Sequence, residues 1–205
     1  MRAPYRIETD ELVIRAYSPS DVRPVFEEIE RNLPELARFM PWALNPPKDE
    51  ETLLNTLLTF RGEHDLGQNF TYGIFEQDGT YIGGTGLHPR VGPEAFEIGY
   101  WIGSAFRGRK IASRATAVLT RTAFTWMRAR RVELHVEPHN AHSLAIPPAL
   151  GFLEEGLRRS RLPFGEQLKD TVAFVMTREE FQHSVAAKQA LRAFDARGHR
   201  IEVDG

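Results

Sequence analysis

The sequence predicts an α+β domain built on a mixed, mainly antiparallel sheet, and two observations carry that prediction. Short runs with strand-like alternation recur at 11–17, 70–76, 80–88, 95–103 and 131–137, and a closing pair follows at 152–161 and 169–177. Between them the pattern switches repeatedly to a helical period. The resulting order is strand, helices, three strands, helix, strand, helix, two strands, which fits neither an all-helical bundle nor a regular βα repeat.

In Glu11–Tyr17, Leu12, Ile14 and Ala16 alternate with Val13, Arg15 and Tyr17, as a half-buried strand requires. Ser18-Pro19-Ser20-Asp21 ends it and offers caps for a helix near 21–31. A second short helical stretch is expected over Asn32–Trp42, closed by Pro41, and Asn45-Pro46-Pro47 breaks the chain again. Asp49 opens a further helix with Leu53, Leu54, Leu57 and Leu58 on one face. Phe70–Glu76 and Thr80–His88 flank Gln77-Asp78-Gly79, a hairpin signal, and Gly92-Pro93 turns the chain into Ala95–Gly103. A helix over Lys110–Met127 would place Ile111, Ala115, Val118, Leu119, Thr122 and Trp126 on one face. Arg131–Glu137 is the next strand, and Asn140–Gly151 a short helix. From Arg178 a terminal helix is expected to carry Phe181, Val185, Leu191 and Phe194 inward, with a tail from Gly198.

A chain of 205 residues suits one domain, with a core at about 8–178 and the terminal helix and tail at 179–205. At 41% hydrophobic and 26% charged residues the composition is that of a folded globule, and the net charge of −2 describes no polyelectrolyte. Cysteine is absent, which excludes disulfides, thiolate metal sites and a cysteine nucleophile, and fits a reducing compartment. The start, MRAPYRIETDEL, carries charges where a signal peptide needs an apolar core, and no apolar run nears the length of about 18 that spanning needs. A cytoplasmic protein without a membrane segment is the expectation.

Charge is segregated. Between Ser104 and Val132 lie eight cations, Arg107, Arg109, Lys110, Arg114, Arg121, Arg128, Arg130 and Arg131, and no acidic residue. Such a run is as often a solvated helix face. Its densest part, Arg107 to Lys110, falls where a strand ends and a helix begins, and a helix start leaves several N–H groups unpaired. Cations there make an anion site suited to phosphate. No GxxxxGK[ST] is present, and no GxGxxG follows a strand, so the phosphate belongs to another kind of carrier.

EIGYWIG at 97–103, FRGRKIAS at 106–113, RVELHV at 131–136, Asn140 to Ser143 and Leu150-Gly151-Phe152 follow one another at set spacing. Together they resemble the GNAT superfamily of acetyl-CoA-dependent N-acetyltransferases. Within it the chain looks most like the ribosomal-protein N-terminal acetyltransferases. The likeness starts at Leu12-Val13-Ile14-Arg15 with Asp21, includes Pro41-Trp42, Ile82-Gly83-Gly84 and Gly86-Leu87-His88, and ends near Asp170.

The resemblance implies the GNAT fold, with helices flanking the sheet, and acetyl-CoA as co-substrate. The family's Q/R-x-x-G-x-G/A motif falls on Arg107, Gly108, Arg109, Lys110, Ile111 and Ala112, with Ser113 beside it, and its amides would cradle the pyrophosphate. The pantetheine arm would lie in a split between two parallel strands, 95–103 and 131–137, bonding to the backbone of Trp101, Ile102 and Gly103 and to the Asn140 side chain. Two departures stand out. Lys110 occupies the place of the motif's central glycine, and Pro147-Pro148 falls inside the helix after Asn140. Those prolines leave the carbonyls of Ser143 and Leu144 unpartnered, which predicts a kinked or broken helix.

The implied reaction is attack of a primary amine on a thioester, which needs a neutral amine and a stabilised oxyanion. An α-amine of pKa about 7.8 is about 10–15% neutral at pH 7, and a lysine of pKa about 10.4 far less than 1%. Glu97 is the candidate base acting through water, and its alternative is a structural carboxylate paired with an arginine. Ser143 is the candidate partner of the departing thiolate, and its alternative is a first-turn serine bonding backbone. Phe39, Trp42, His88 and Phe164 are candidates for the acceptor pocket. The histidines at 88, 135, 139 and 142 lack the thiolates or HExxH spacing of a metal site, so no metal is expected.

The expected partners are acetyl-CoA and an amine acceptor, with a ribosomal protein among the acceptors considered. The resemblance is compatible with a homodimer. Two rival readings remain at this level: a non-catalytic acyl-CoA sensor, suggested by Lys110 and Pro148, and an RNA or ribosome-surface module using the 107–131 basic face. No aromatics interleave with those cations in a stacking pattern, so nucleic acid is not expected.

Overall fold

The computed structural model of the chain describes residues 3–202, so the first two and last three residues of the expected domain lie outside it. In chain order the elements are β1 (Arg6–Glu8), β2 (Leu12–Ala16), α1 (Val22–Phe39), α2 (Glu50–Asp65), β3 (Phe70–Glu76), β4 (Tyr81–His88) and β5 (Ala95–Ile102). Then follow α3 (Ile111–Trp126), β6 (Arg131–Val136), α4 (Ala141–Leu144), α5 (Ile146–Leu150), β7 (Leu153–Phe164), β8 (Gln167–Thr177), α6 (Arg178–His183), β9 (Arg192–Phe194) and β10 (Arg200–Ile201). All the strands join one sheet in the order β10-β9-β1-β2-β3-β4-β5-β6-β8-β7. Every pairing is antiparallel except β5 with β6. None of the described helices is long and apolar enough to cross a membrane.

Each face of the sheet has its own core. On one, α3 lays Ile111, Ala115, Val118, Leu119 and Thr122 against Phe96, Ile98, Val132 and Leu134, all buried, whereas Trp126, expected on the same face, is only half-buried. On the other, Val22, Val25 and Ile29 of α1 and Leu53 and Leu57 of α2 cover Tyr17, Phe75 and Tyr81. Leu58, expected on the same face of α2, is 48% exposed.

Two expectations are corrected. The break at Asn32 does not occur, and α1 runs on through Pro34 to Phe39. Pro34 withdraws the donor that would have met the carbonyl of Glu30, a residue on the exposed side of the helix, where an unpaired carbonyl costs least. Asn32 is buried rather than a breaker: its Nδ2 donates to Glu28 Oε1 (2.7 Å) and its Oδ1 accepts from the Ser104 N–H (2.7 Å). The terminal helix, in turn, stops at His183. The Ser184 hydroxyl accepts from the Ala187 N–H (3.2 Å), a local side-chain turn that competes with the helix. Phe181 still stacks on Phe124 (4.6 Å between centroids), but Val185 is 60% exposed and Phe194 lies on β9, with Arg6 over its ring.

The break predicted between Asn140 and Gly151 is present. α4 ends at Leu144, and α5 starts at Ile146 with both prolines in its first turn, where missing donors cost least.

Leu119→Ala should destabilise the protein by about 2–5 kcal/mol in urea unfolding, because Leu119 is wholly buried beneath the sheet. Leu58→Ala should stay within about 0.5 kcal/mol.

Candidate active site

The site is built where β5 leaves β6. The two strands pair in parallel only over Ala95–Glu97 with Arg131–Glu133. Beyond that point β5 stays with β4 through Ile102, while β6 stays with β8 through Val136. Their facing edges separate into a split. Gly103 N–H donates to Ile82 O (2.9 Å), so antiparallel alternation turns the backbone groups of Gly103 and Trp101 toward β4. Those of Tyr100 and Ile102 face the split. Of the three residues expected to bond the ligand arm, Ile102 therefore has its backbone on the open side, and Tyr100 joins it.

Below the split the chain turns through a 3₁₀ segment, Ser104–Phe106, into α3. Among the described residues, the N–H groups of 108 through 113 make no backbone hydrogen bond, and the first that does is Arg114, to the Lys110 carbonyl (3.0 Å). Six consecutive unpaired donors at the start of a 16-residue helix form an anion cradle. Gly108 (φ +75°) and Lys110 (φ +57°) take left-handed backbone conformations that aim those donors. Lys110 thus adopts the conformation natural to the glycine it replaces, and it is exposed. Arg107 pairs with Glu35 and Arg109 with Glu76 (2.5 Å). Both arginines are about half exposed, and such surface pairs are worth about 0–1 kcal/mol, so phosphate can compete for them.

Asn140 caps α4: its Oδ1 accepts from the Ser143 N–H (3.2 Å), which leaves the Nδ2 end for a ligand. Ser143 makes no side-chain bond to backbone among the described residues. The buried Tyr100 hydroxyl lies near it and forms no hydrogen bond among the described residues. Nothing in the strand pattern distinguished Tyr100 from its apolar neighbours.

The opposite face of β4 and β5 carries the acceptor candidates. There Gly84, Gly86 and Gly99 make a floor without side chains, with the Trp101 ring lying over Gly84, the His88 ring over Gly86 and Glu97 beside His88. Its length, four residues at about 3.3 Å, is about 13 Å. Trp42 packs at Trp101 (6.1 Å between centroids), and Lys169 Nζ, above the Phe164 ring at 3.6 Å, donates to Arg38 O beside Phe39 (2.8 Å). The predicted aromatics therefore gather at the tryptophan end, and His88 stands at the far end.

Glu97 accepts both arms of Arg90 (2.6 and 2.9 Å), and His135 Nδ1 lies 3.6 Å away. Burial by itself raises its pKa, but the bonds and charge of Arg90, with His135 and His88, hold it below the ordinary carboxylate value. The arginine-paired alternative is what the geometry presents. His135 also meets Glu133 (2.6 Å), whose carboxylate contacts Arg131 and Arg158. Burial, then the charge of Arg90, pushes His88 down to about 4, against the opposing pull of Glu97 and Glu63. Burial also pushes His64 down to about 4.

The family profile described as the acetyltransferase (GNAT) domain matches residues 11–153. The chain belongs to the GNAT acetyltransferase family. It is 29% identical over 175 residues to Bacillus subtilis YdaF, provisionally named a ribosomal N-acetyltransferase, covering 84% of this chain and 94% of YdaF. Mycobacterium smegmatis RimJ, solved with a CoA disulfide, superposes with a TM-score of 0.81 at 22% identity, over 92% of this chain and 95% of that one. The ribosomal-protein-S5-alanine acetyltransferase of Vibrio fischeri superposes with a TM-score of 0.74 at 22% identity, over 84% and 96%. The chain is an acetyl-CoA-dependent N-acetyltransferase, and the split and cradle have the chemistry that a peptide-like arm and a pyrophosphate require.

Lys110→Gly should retain the fold and acetyl-CoA affinity within about threefold, and match or raise stability by up to about 1 kcal/mol, because it relieves a left-handed lysine. Lys110→Val should destabilise measurably in the same urea titration. A pH dependence follows from His64 and His88. The folded state resists protonation of both down to about pH 4, whereas the unfolded chain binds those protons near 6.5. Stability is therefore full above about pH 6.5 and falls as pH drops toward 4, by up to about 1.4 kcal/mol per pH unit per histidine. Urea midpoints at pH 7, 6 and 5 measure it, and His64→Phe should flatten the slope.

Proposed function

We propose that this enzyme acetylates the free α-amine of a protein or peptide, with ribosomal-protein N-termini as the leading class of acceptor. The observation that carries the reading is a strand split that leads to six consecutive unpaired amides, with the Trp101 and His88 rings over a glycine floor on the other face of the same strands. Support for the acceptor class comes from the printed names of YdaF, RimJ and the S5-alanine enzyme.

In this reading the cradle formed by Arg107, Gly108, Arg109, Lys110, Ile111, Ala112 and Ser113 takes the pyrophosphate. The strand end at Trp101–Gly103, chiefly through Ile102, and the Asn140 amide take the arm, and a backbone N–H near Ile102 stabilises the oxyanion. The Ser143 hydroxyl passes a proton to the departing sulfur and regains one from the ammonium of the tetrahedral adduct, so that the amine's proton ends on coenzyme A. Phe39, Trp42, Phe164 and His88 line the acceptor path. Glu97, ionised and held by Arg90, supplies negative charge beside the incoming amine. The proposed compartment is the cytoplasm.

The RNA-binding alternative loses ground because the whole 107–131 basic segment lies inside the acetyltransferase domain matched over residues 11–153. The sensor alternative is separated from the enzyme by turnover. The chain has no cysteine, so a thiol-release assay reads coenzyme A without background from the protein. Acetyl-CoA should bind saturably, and thiol release should require an amine, with N-terminal peptides preferred over polyamines, free amino acids and aminoglycosides. Arg107→Ala should raise the KM for acetyl-CoA about tenfold with kcat little changed, the mark of lost ground-state binding. Saturable binding without amine-dependent thiol release would make the protein a sensor.

A further inference from the structure

Glu63, Asn69 and His88 form a chain of side chains from the last turn of α2, through the loop before β3, to the end of β4. Asn69 Nδ2 donates to Glu63 Oε2 (2.9 Å), and Asn69 Oδ1 lies 2.7 Å from His88 Nδ1. A carboxylate only accepts, so the amide must turn its NH₂ toward Glu63 and its oxygen toward His88. An amide oxygen in turn only accepts, so Nδ1 of His88 carries the proton. Nε2 is left as a bare lone pair, and no hydrogen bond satisfies it among the described residues. The loop backbone reinforces the arrangement, since Gln68 N–H donates to Glu63 O (2.8 Å).

The imidazole lies over the glycine floor. A Cβ on Gly86 would fall 2.7 Å from both Cε1 and Nε2, and one on Gly99 3.5 Å from Nε2. Only glycine at 86 leaves room for the ring in this pose. Gly99 is also the second residue past the point where β5 parts from β6. The lone pair is thus held over the glycine floor of β4 and β5, and β5 is the strand that borders the split.

Resting on the acetyltransferase reading, we infer that His88 Nε2 receives an N–H hydrogen bond from the acceptor amine and orients its lone pair toward the thioester, with Asn69 and Glu63 fixing the tautomer that makes this possible. The charged groups facing His88 are Arg90 after β4, Glu97 on β5 and Glu63 on α2. Their balance with burial keeps the ring uncharged near neutral pH, so it does not repel a primary amine as an imidazolium would. His88 touches substrate in this assignment, whereas Asn69 and Glu63 are positioning residues.

The test combines kinetics and imidazole ¹⁵N NMR on the full chain, with a serine- or alanine-initiated hexapeptide bearing a free α-amine. His88→Phe keeps a ring over the floor without a lone pair, and Asn69→Leu keeps the volume without the acceptor. Each should lower kcat/KM for the peptide about 10–100-fold, chiefly through KM, while acetyl-CoA affinity stays within twofold. In the wild type at pH 7, His88 should be the neutral Nδ1–H tautomer. Its Nε2 resonance should shift with the free peptide and not with the N-acetylated one. In Asn69→Leu the tautomer should change, an effect that loss of packing alone would not produce. His88→Phe turning over peptide within threefold of wild type overturns the inference, and so does an Nε2–H tautomer in the wild type. A wild-type protein that neither binds acetyl-CoA nor releases thiol defeats the acetyltransferase reading instead, and the tautomer measurement then still decides His88.

Discussion

The parting of β5 from β6 after three residue pairs is the constraint on which the rest of the structure depends. Inside a sheet, an unpaired strand edge leaves donors and acceptors without partners, which a fold tolerates only where water or a ligand replaces the missing strand. The fork coincides with Glu97 opposite Glu133, two carboxylates on one face at the last register pair. Like charges directly opposite disfavour continued pairing. His135, two residues further along β6, lies between the carboxylates, 3.6 Å from one and 2.6 Å from the other, while Arg90 and Arg131 neutralise them from outside. In a continued register His135 would face Gly99, which has no side chain to hold it in line.

Everything flanking the fork serves to hold it open in a defined shape. On the α3 side, Tyr100 and the capped α4 occupy the space near the split, and the two prolines stop α4 from growing into a longer helix. At its lower end Asn32 fastens the Ser104 N–H to α1, so the turn into the run of unpaired amides is anchored by a buried amide rather than by the loop itself. The ion pairs of Arg107 and Arg109 reach from that turn to α1 and β3. They orient the cationic arms without committing them strongly, since exposed pairs contribute little. Lys110 fits the same logic: its backbone does what glycine does, and its charge adds to the field at the helix start.

The parts legible in sequence were the local ones. Strand alternation and the α3 face are set by neighbours within a few residues, and so is a cationic turn at a strand–helix junction. Pro147-Pro148 likewise announced its break through donors that a proline lacks. Asn32 and Pro34 misled because their context is tertiary: one meets a backbone amide 72 residues away, and the other frees a carbonyl on the exposed side of the helix. β1, β9 and β10, two or three residues each, are too short for any period to register. His88 could be nominated as an acceptor residue, but its tautomer depends on an amide and a carboxylate from other segments. No spacing rule links residues 63, 69 and 88.

The end of the glycine floor that holds His88 and Glu97 bears on the kind of amine that the enzyme can serve. Glu97 is ionised but doubly bonded to Arg90, and a carboxylate held below its ordinary pKa is a poor base. His88 offers a lone pair but stays uncharged, so it orients a neutral amine more readily than it deprotonates a cationic one. A site furnished in this way relies on the acceptor to bring its own neutral fraction. For an α-amine that fraction is about one in ten at neutral pH, and for a lysine side chain it is below one in a thousand. The hundredfold or greater gap is a discrimination of about 3 kcal/mol that needs no contact with the rest of the acceptor. Under the proposed roles, the weakness of the site as a base, set by Arg90 on one residue and by burial on the other, favours amines of low pKa, the class to which chain termini belong.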